Sequence, residues 1–264
     1  MNEYFISYCF YIGLILALLI GFGFVFSFLV KSGWNNLGTK FGTYAFLPRF
    51  IGTPVHELGH LIFAALTGSK IHRIRLFPKI SSRLRRSGGG YVEFTPRNGL
   101  LGSISRFFSG IGPMVFCPFV IMLLMYVLMP DLFSAMYMVF QKPEILSTDT
   151  ILRTIGNIIQ EFLSAFHFQM LEKWQFYVFL FLAVPIANEC ILSSEDVKNA
   201  GSGFLAMALV LAAGGYILSF FPSAALAVIH GLAKTSSLLI CVLCFSLVFN
   251  LIHWILGHIV RYLL

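Results

Sequence analysis

The chain has 264 residues, of which 58% are hydrophobic and only 11% are charged, and its formal net charge is +7. Soluble domains carry about 25% charged residues, so this chain lacks the polar side chains needed to cover a water-facing surface. The composition therefore excludes an ordinary soluble enzyme and indicates an integral membrane protein in contact with the lipid bilayer. The five cysteines do not form a paired extracellular framework.

Hydropathy predicts an all-α polytopic membrane protein with about six transmembrane helices, forming a single membrane-embedded domain over residues 1–264. Each predicted span is near the ~20 residues that a bilayer requires. The spans cover residues 5–30, 45–67, 106–129, 174–193, 203–221 and 237–260. The second and fourth spans contain ionisable residues, which are costly at membrane depth and therefore mark the places to look for a functional site.

The hydrophobic period changes directly after the second span. Residues 70–77 alternate between apolar and polar side chains, and residues 91–94 alternate again after a glycine-rich stretch at 87–90. Alternation with a period of two is typical of half-buried strands, and consecutive glycines favour a turn. The sequence therefore predicts a small membrane-associated β-hairpin or sheet within about residues 70–95.

Charge is unevenly distributed along the chain. Segment 69–106 holds nine of the eighteen basic residues and a single acidic residue, Glu93, whereas the loop at about 130–173 is acidic. By the positive-inside rule the basic segment is cytoplasmic, the 130–173 loop is outside, and both termini are cytoplasmic. Anionic lipid headgroups explain the basic segment more simply than nucleic acid. The small size and the lack of organelle signals make a bacterial plasma membrane the expected location. The nine residues are Lys70, Arg73, Arg75, Lys79, Arg83, Arg85, Arg86, Arg97 and Arg106.

The second span contains the sequence GTPVHELGHLIFAAL at residues 52–66. On a helix, His56 and His60 share one face, so both imidazoles can bind one metal ion. Glu57 can reach a water molecule on the metal without being a ligand, as in zinc hydrolases that carry H-E-x-x-H. Zinc bound in this way makes its water a nucleophile at neutral pH. Gly59 is expected to let another element pack closely against this helix.

A catalytic zinc ion needs a third protein ligand, and the fourth span and the residues after it offer Glu189, Glu195 and Asp196. Asp196 is favoured because residues 193–196 resemble a cap that opens a short helix, from which a side chain can turn back into the bundle. Asn188 could donate its amide to the substrate backbone or to the oxyanion, or it could form a hydrogen bond between helices.

The stretch GTPVHELGHLIFAALTGSKIHRIRLFP, followed by GGGYVEF, resembles the site-two protease family of intramembrane zinc metallopeptidases. The resemblance implies a small sheet whose edge pairs with substrate, a Gly-Pro element on a later span, and an aspartate ligand beyond it. Gly112 and Pro113 match the Gly-Pro element, and Asp196 takes the place of the aspartate. The chain departs from the family pattern at Phe116, where an asparagine is common, and in SSEDVKNAG, which replaces the usual Leu-Asp-Gly.

The resemblance implies regulated intramembrane proteolysis of a single-pass membrane protein or peptide. Glu57 would take the proton of a zinc-bound water and return it to the leaving amine. One alternative is a membrane metalloprotease of the prenyl-protein or heat-shock type, with Glu189 or Glu195 as the third ligand. Another is a non-catalytic membrane scaffold that retains a metal site, although such a site has no need of Glu57.

Overall fold

The computed structural model describes residues 2–37, 46–78, 89–141, 160 and 168–263. This part of the chain is mainly helical and contains one small antiparallel sheet, which confirms the coarse fold prediction. The 79–88 segment between the strands, and residues 142–159 and 161–167 of the predicted outer loop, lie outside the described residues. The helices are α1 (Asn2–Leu37), α2 (Phe46–Leu66), α3 (Gly99–Leu128), α4 (Pro130–Gln141), α5 (Trp174–Glu189), α6 (Ser194–Leu218) and α7 (Pro222–Leu263), with a 3-10 helix at Phe168–Glu172 and strands β1 (Lys70–Arg75) and β2 (Tyr91–Thr95).

Four of the described helices, α1, α3, α6 and α7, are long and apolar enough to cross a membrane. Large apolar side chains on them are exposed, such as Phe28 and Leu205, as expected for lipid contact. The predicted count of six spans is not confirmed. Helix α5 has 16 residues, about 24 Å against a hydrocarbon core of about 30 Å, and α2 carries ionisable side chains along its length.

The chain divides into two compact units. The first comprises Met1–Leu18, Met122–Leu180 and Ala208–Cys244, and the second comprises Leu19–Ile121, Phe181–Met207 and Phe245–Leu264. Every residue predicted to form the functional site belongs to the second unit. The prediction of a single domain over residues 1–264 stays a prediction.

Within the second unit, α2 contacts α3 and α5 closely at two glycines, Gly59 and Gly52. A methyl group added to Gly59 would lie 2.9 Å from the Cα of Pro113 on α3. A methyl group added to Gly52 would overlap the backbone carbonyl of Pro185 on α5. The expected close packing at Gly59 is therefore confirmed, and the face of α2 that carries both glycines packs closely on α3 and α5.

The sheet follows α2 almost without a connection. Gly68 ends the helix with φ of 70°, a left-handed conformation that glycine adopts without steric cost. Strand β1 then pairs antiparallel with β2, from Lys70 opposite Thr95 to Arg75 opposite Tyr91, with an irregularity after Ile71. The predicted strand pair is confirmed, and its far end at Arg75 returns toward α2.

Candidate metal centre

The two histidines of the HELGH segment face each other across one turn of α2. Their Nε2 atoms are 3.2 Å apart, and the ring centroids are 4.9 Å apart. His56 is only 8% exposed, and Glu57 between them in sequence is also 8% exposed. The polar middle of α2 therefore points into protein and not into solvent or lipid.

Each imidazole is oriented by a backbone carbonyl on a different helix. The Nδ1 of His56 donates to the carbonyl of Glu189 at 2.8 Å, at the end of α5. The Nδ1 of His60 donates to the carbonyl of Ser109 at 2.7 Å, on α3. A carbonyl oxygen only accepts hydrogen bonds, so the ring proton of each neutral imidazole lies on Nδ1 and the lone pair on Nε2. Metal-binding histidines are commonly held by such a bond through the second nitrogen.

Asp196 reaches the same point from the first turn of α6. Its Oδ1 lies 3.2 Å from Nε2 of His60, and its Oδ2 lies 3.9 Å from Nε2 of His56. Oδ2 also accepts the Ser193 backbone N–H at 2.8 Å, while Ser193 Oγ accepts the Asp196 backbone N–H at 3.1 Å. This reciprocal cap fixes the carboxylate at the start of the helix.

The helix that Asp196 opens differs from the expected one. The sequence suggested a short helix after Ser193, but α6 runs for 25 residues, from Ser194 to Leu218. Its first turn lies against α3 at Gly110, where an added methyl group would be 2.6 Å from the Asp196 carbonyl and 2.5 Å from the Ala200 nitrogen. The small residue at position 110 therefore lets α6 bring its carboxylate to the histidines.

Three hydrogen-bond acceptors converge at this point. The possible ligand atoms of His56, His60 and Asp196 all lie within 4.8 Å of one another. Two imidazole lone pairs and a carboxylate repel each other when they are buried together, unless a cation lies between them. Two nitrogens and one carboxylate oxygen are also a common set of protein ligands for catalytic zinc, which keeps a further position open. These residues therefore fit a divalent metal ion.

Glu57 lies beside this group and against the far end of the β-hairpin. A methyl group added to Gly90 would be 2.5 Å from Cγ of Glu57 and 2.7 Å from the Arg75 carbonyl. The positively charged Arg75 side chain is close enough to the Glu57 carboxylate for their opposite charges to attract each other. Arg75 is itself fixed by a 2.9 Å hydrogen bond to the Gly89 carbonyl and by the ring of Tyr91, 4.5 Å away.

This proximity of hairpin and carboxylate was not predicted from the sequence. The Ser-Gly-Gly-Gly stretch at 87–90 indicated a turn, but no local pattern shows that Gly90, 33 residues after Glu57, returns to it. One signal could have suggested a close contact. Gly90 directly precedes β2, and a glycine next to a strand often marks a place where another part of the chain comes close.

The other predicted site residues have different positions. Glu189 contributes its backbone carbonyl, and its carboxylate is not among the clustered ligand atoms of the described residues. Glu195 is exposed. Asn188 is buried, and its Oδ1 has no hydrogen-bond partner in the described part of the chain. Of the three carboxylates considered, the structure brings Asp196 to the histidines.

Gly112 and Pro113 are buried where α3 meets α2 at Gly59. Their packing role is evident, and their predicted contact with substrate stays a prediction, as does that of Asn188.

No protein-family model, curated protein or solved structure matches this chain. The resemblance to the site-two proteases therefore rests on the motif residues themselves. The geometry of His56, His60, Asp196 and Glu57 is the remaining indication of what the protein does.

Proposed function

We propose that the protein is a metal-dependent hydrolase, and specifically an intramembrane zinc metalloprotease that cleaves peptide bonds in or near transmembrane segments of other membrane proteins. The observation that carries the proposal is the convergence of His56, His60 and Asp196, with the buried Glu57 next to them. The four long apolar helices support its location in a membrane.

The roles of the residues follow from their contacts. His56, His60 and Asp196 hold the metal, and the carbonyls of Glu189 and Ser109 keep both imidazoles in the tautomer that binds it. When bound, zinc supplies a Lewis acid and a water molecule that is acidic enough to act as a nucleophile at neutral pH. Glu57 accepts a proton at its carboxylate and later returns it to the leaving amine.

The β-hairpin supports a role in substrate binding. Its end at Gly90 lies against Glu57, and each strand of this two-stranded sheet has one edge without a strand partner among the described residues. An extended peptide could add to such an edge through backbone hydrogen bonds. A helical transmembrane segment would first have to unwind, so the preferred substrate is a single-pass protein or peptide with a helix that is easily opened near the site.

The alternatives are less well supported. A protease of the prenyl-protein or heat-shock type would use a glutamate ligand, but neither Glu189 nor Glu195 brings its carboxylate into the cluster of ligand atoms. A metal-retaining scaffold would need the three ligands only. The scaffold hypothesis does not explain why the Glu57 carboxylate is buried, although burying a charged group costs free energy.

The decisive experiment measures bound zinc and cleavage of a model transmembrane substrate for the wild type and Glu57→Gln. We expect zinc to be retained and the rate to fall by about 10²- to 10⁴-fold, the usual contribution of a general base. Glu195→Gln is a matched control, because it removes an exposed carboxylate one residue from Asp196. Zinc retention with an unchanged rate in Glu57→Gln would refute the protease assignment.

A further inference from the structure

A pocket of about 390 Å³ lies where α2 ends and α3 begins. The volume is at the lower end of the range for small-molecule sites. One wall is cationic, and the others are mostly apolar. The pocket is lined by Leu66, Thr67, Gly68, Arg97, Leu101 and Ile104.

The cationic wall is held in place by the end of α2. Arg97 Nε donates a 3.0 Å hydrogen bond to the carbonyl of Gly68. A methyl group added to Gly68 would lie 3.0 Å from the guanidinium carbon, so the side chain lies flat against this left-handed residue. The bond through Nε fixes the guanidinium plane, and the two terminal nitrogens remain as donors of a planar fork.

The apolar walls are large side chains left uncovered by the described protein. Leu66 is 77% exposed, and Leu101 is 55% exposed. Helix α3 is a candidate membrane span that begins at Gly99, and Arg97 lies two residues before it. The cation therefore lies where polar chain changes to membrane helix, which is the depth of lipid headgroups.

We propose that this pocket binds an anionic phospholipid of the bilayer, with its phosphate on Arg97 and the start of its acyl chains along Leu66 and Leu101. A guanidinium fork matches a phosphate through two parallel hydrogen bonds. Segment 69–106 carries nine basic residues and one acidic residue, and this excess selects a net negative headgroup over a zwitterionic one. The inference does not depend on the proposed protease activity.

The test compares lipids retained by the full-length protein after purification from micelles that contain phosphatidylglycerol and phosphatidylcholine with identical acyl chains. Native mass spectrometry counts the bound lipids. We expect the wild type to retain phosphatidylglycerol preferentially and Arg97→Gln to weaken that retention about tenfold, as expected for loss of a charge-assisted contact. Arg73→Gln is the matched control, because Arg73 lies in the same segment but on the exposed face of β1.

A second pair of variants tests the apolar wall. Leu100 and Leu101 are almost equally exposed, at 56% and 55%, but only Leu101 lines the pocket. Leu101→Gln should weaken retention, and Leu100→Gln should leave it unchanged. Equal losses of phosphatidylglycerol retention in Arg97→Gln and Arg73→Gln would show diffuse attraction only and would overturn the site. Wild-type phosphatidylglycerol retention by Arg97→Gln, or equal effects of the two leucine variants, would also overturn it.

Discussion

Asp196 has two roles in the structure, and one substitution separates them. Its Oδ2 caps α6 through the Ser193 N–H, and its Oδ1 faces Nε2 of His60 at 3.2 Å. In Asp196→Asn, the amide oxygen can take the position of Oδ2 and keep the cap. The amide nitrogen then takes the position of Oδ1 and can donate to the His60 lone pair. Asn therefore replaces a repulsion between acceptors by a hydrogen bond, while it removes the negative charge that would bind a metal ion.

Asp196→Asn should raise the free energy of unfolding relative to the wild type without metal and lower it with metal. Without metal, Asp196→Ala loses the bond from the Ser193 N–H to Oδ2, one half of the reciprocal cap, which costs about 1 kcal/mol. Asp196→Asn keeps the cap and gains a hydrogen bond worth about 1 kcal/mol, so it should be more stable than Asp196→Ala by about 2 kcal/mol. With zinc at 100 times the wild-type Kd, the wild type gains about 2.7 kcal/mol. Affinity that falls about 100-fold reduces this gain to about 0.4 kcal/mol in Asp196→Asn.

The assay is thermal unfolding in detergent at about pH 8, where free imidazole is neutral, with and without zinc. One kcal/mol corresponds to about 2–4 °C in a protein of this size. A zinc-induced shift of wild-type size in Asp196→Asn would remove Asp196 from the metal ligands. An apo Asp196→Asn protein that melts with Asp196→Ala would refute the argument that acceptors converge at this site.

Three further predictions concern packing and metal. Gly59→Ala should destabilise the protein by about 1–3 kcal/mol in chemical unfolding, because its methyl group meets the α3 backbone 2.9 Å away. Its control is Gly13→Ala, which should not destabilise the protein, because an added methyl group there has nothing within 4 Å. Gly90→Ala should slow cleavage at least about tenfold with zinc content unchanged, because it displaces Glu57, whereas Gly89→Ala, in open space, should keep the wild-type rate. Removal of metal with a chelator should abolish cleavage and lower the melting temperature, and added zinc should restore both. Equal behaviour of either glycine pair, or cleavage that survives chelation, would contradict these expectations.

The sequence was most informative where the chemistry is local. The i, i+4 spacing of His56 and His60 needs only helical geometry, and α2 supplies it. The strand pair was also predictable, because a change from helical to alternating periodicity is a local signal. The choice of Asp196 among three carboxylates depended on its position after Ser193, and the reciprocal cap confirms that this serine opens the helix.

Contacts between residues far apart in the sequence were harder to predict. The carbonyls of Ser109 and Glu189 orient the imidazoles, but every residue has a carbonyl, so no side-chain pattern points to these two. Segment 222–236, which hydropathy left between two spans, is part of the continuous helix α7. A helix satisfies its own backbone hydrogen bonds whether or not membrane surrounds it, so α7 can extend beyond its most apolar part.

The arrangement of the site also predicts that metal binding and helix packing are coupled. The two histidines belong to α2, their orienting carbonyls to α3 and α5, and the carboxylate to α6. A metal ion between His60 and Asp196 would replace mutual repulsion by attraction at the point where these four helices meet. Binding energy at such a point is also folding energy, because the ligands are dispersed in the unfolded chain.

The glycine contacts that bring the helices together should therefore raise metal affinity. Gly110→Ala moves the first turn of α6 away from α3, so it should weaken zinc binding although it changes no ligand.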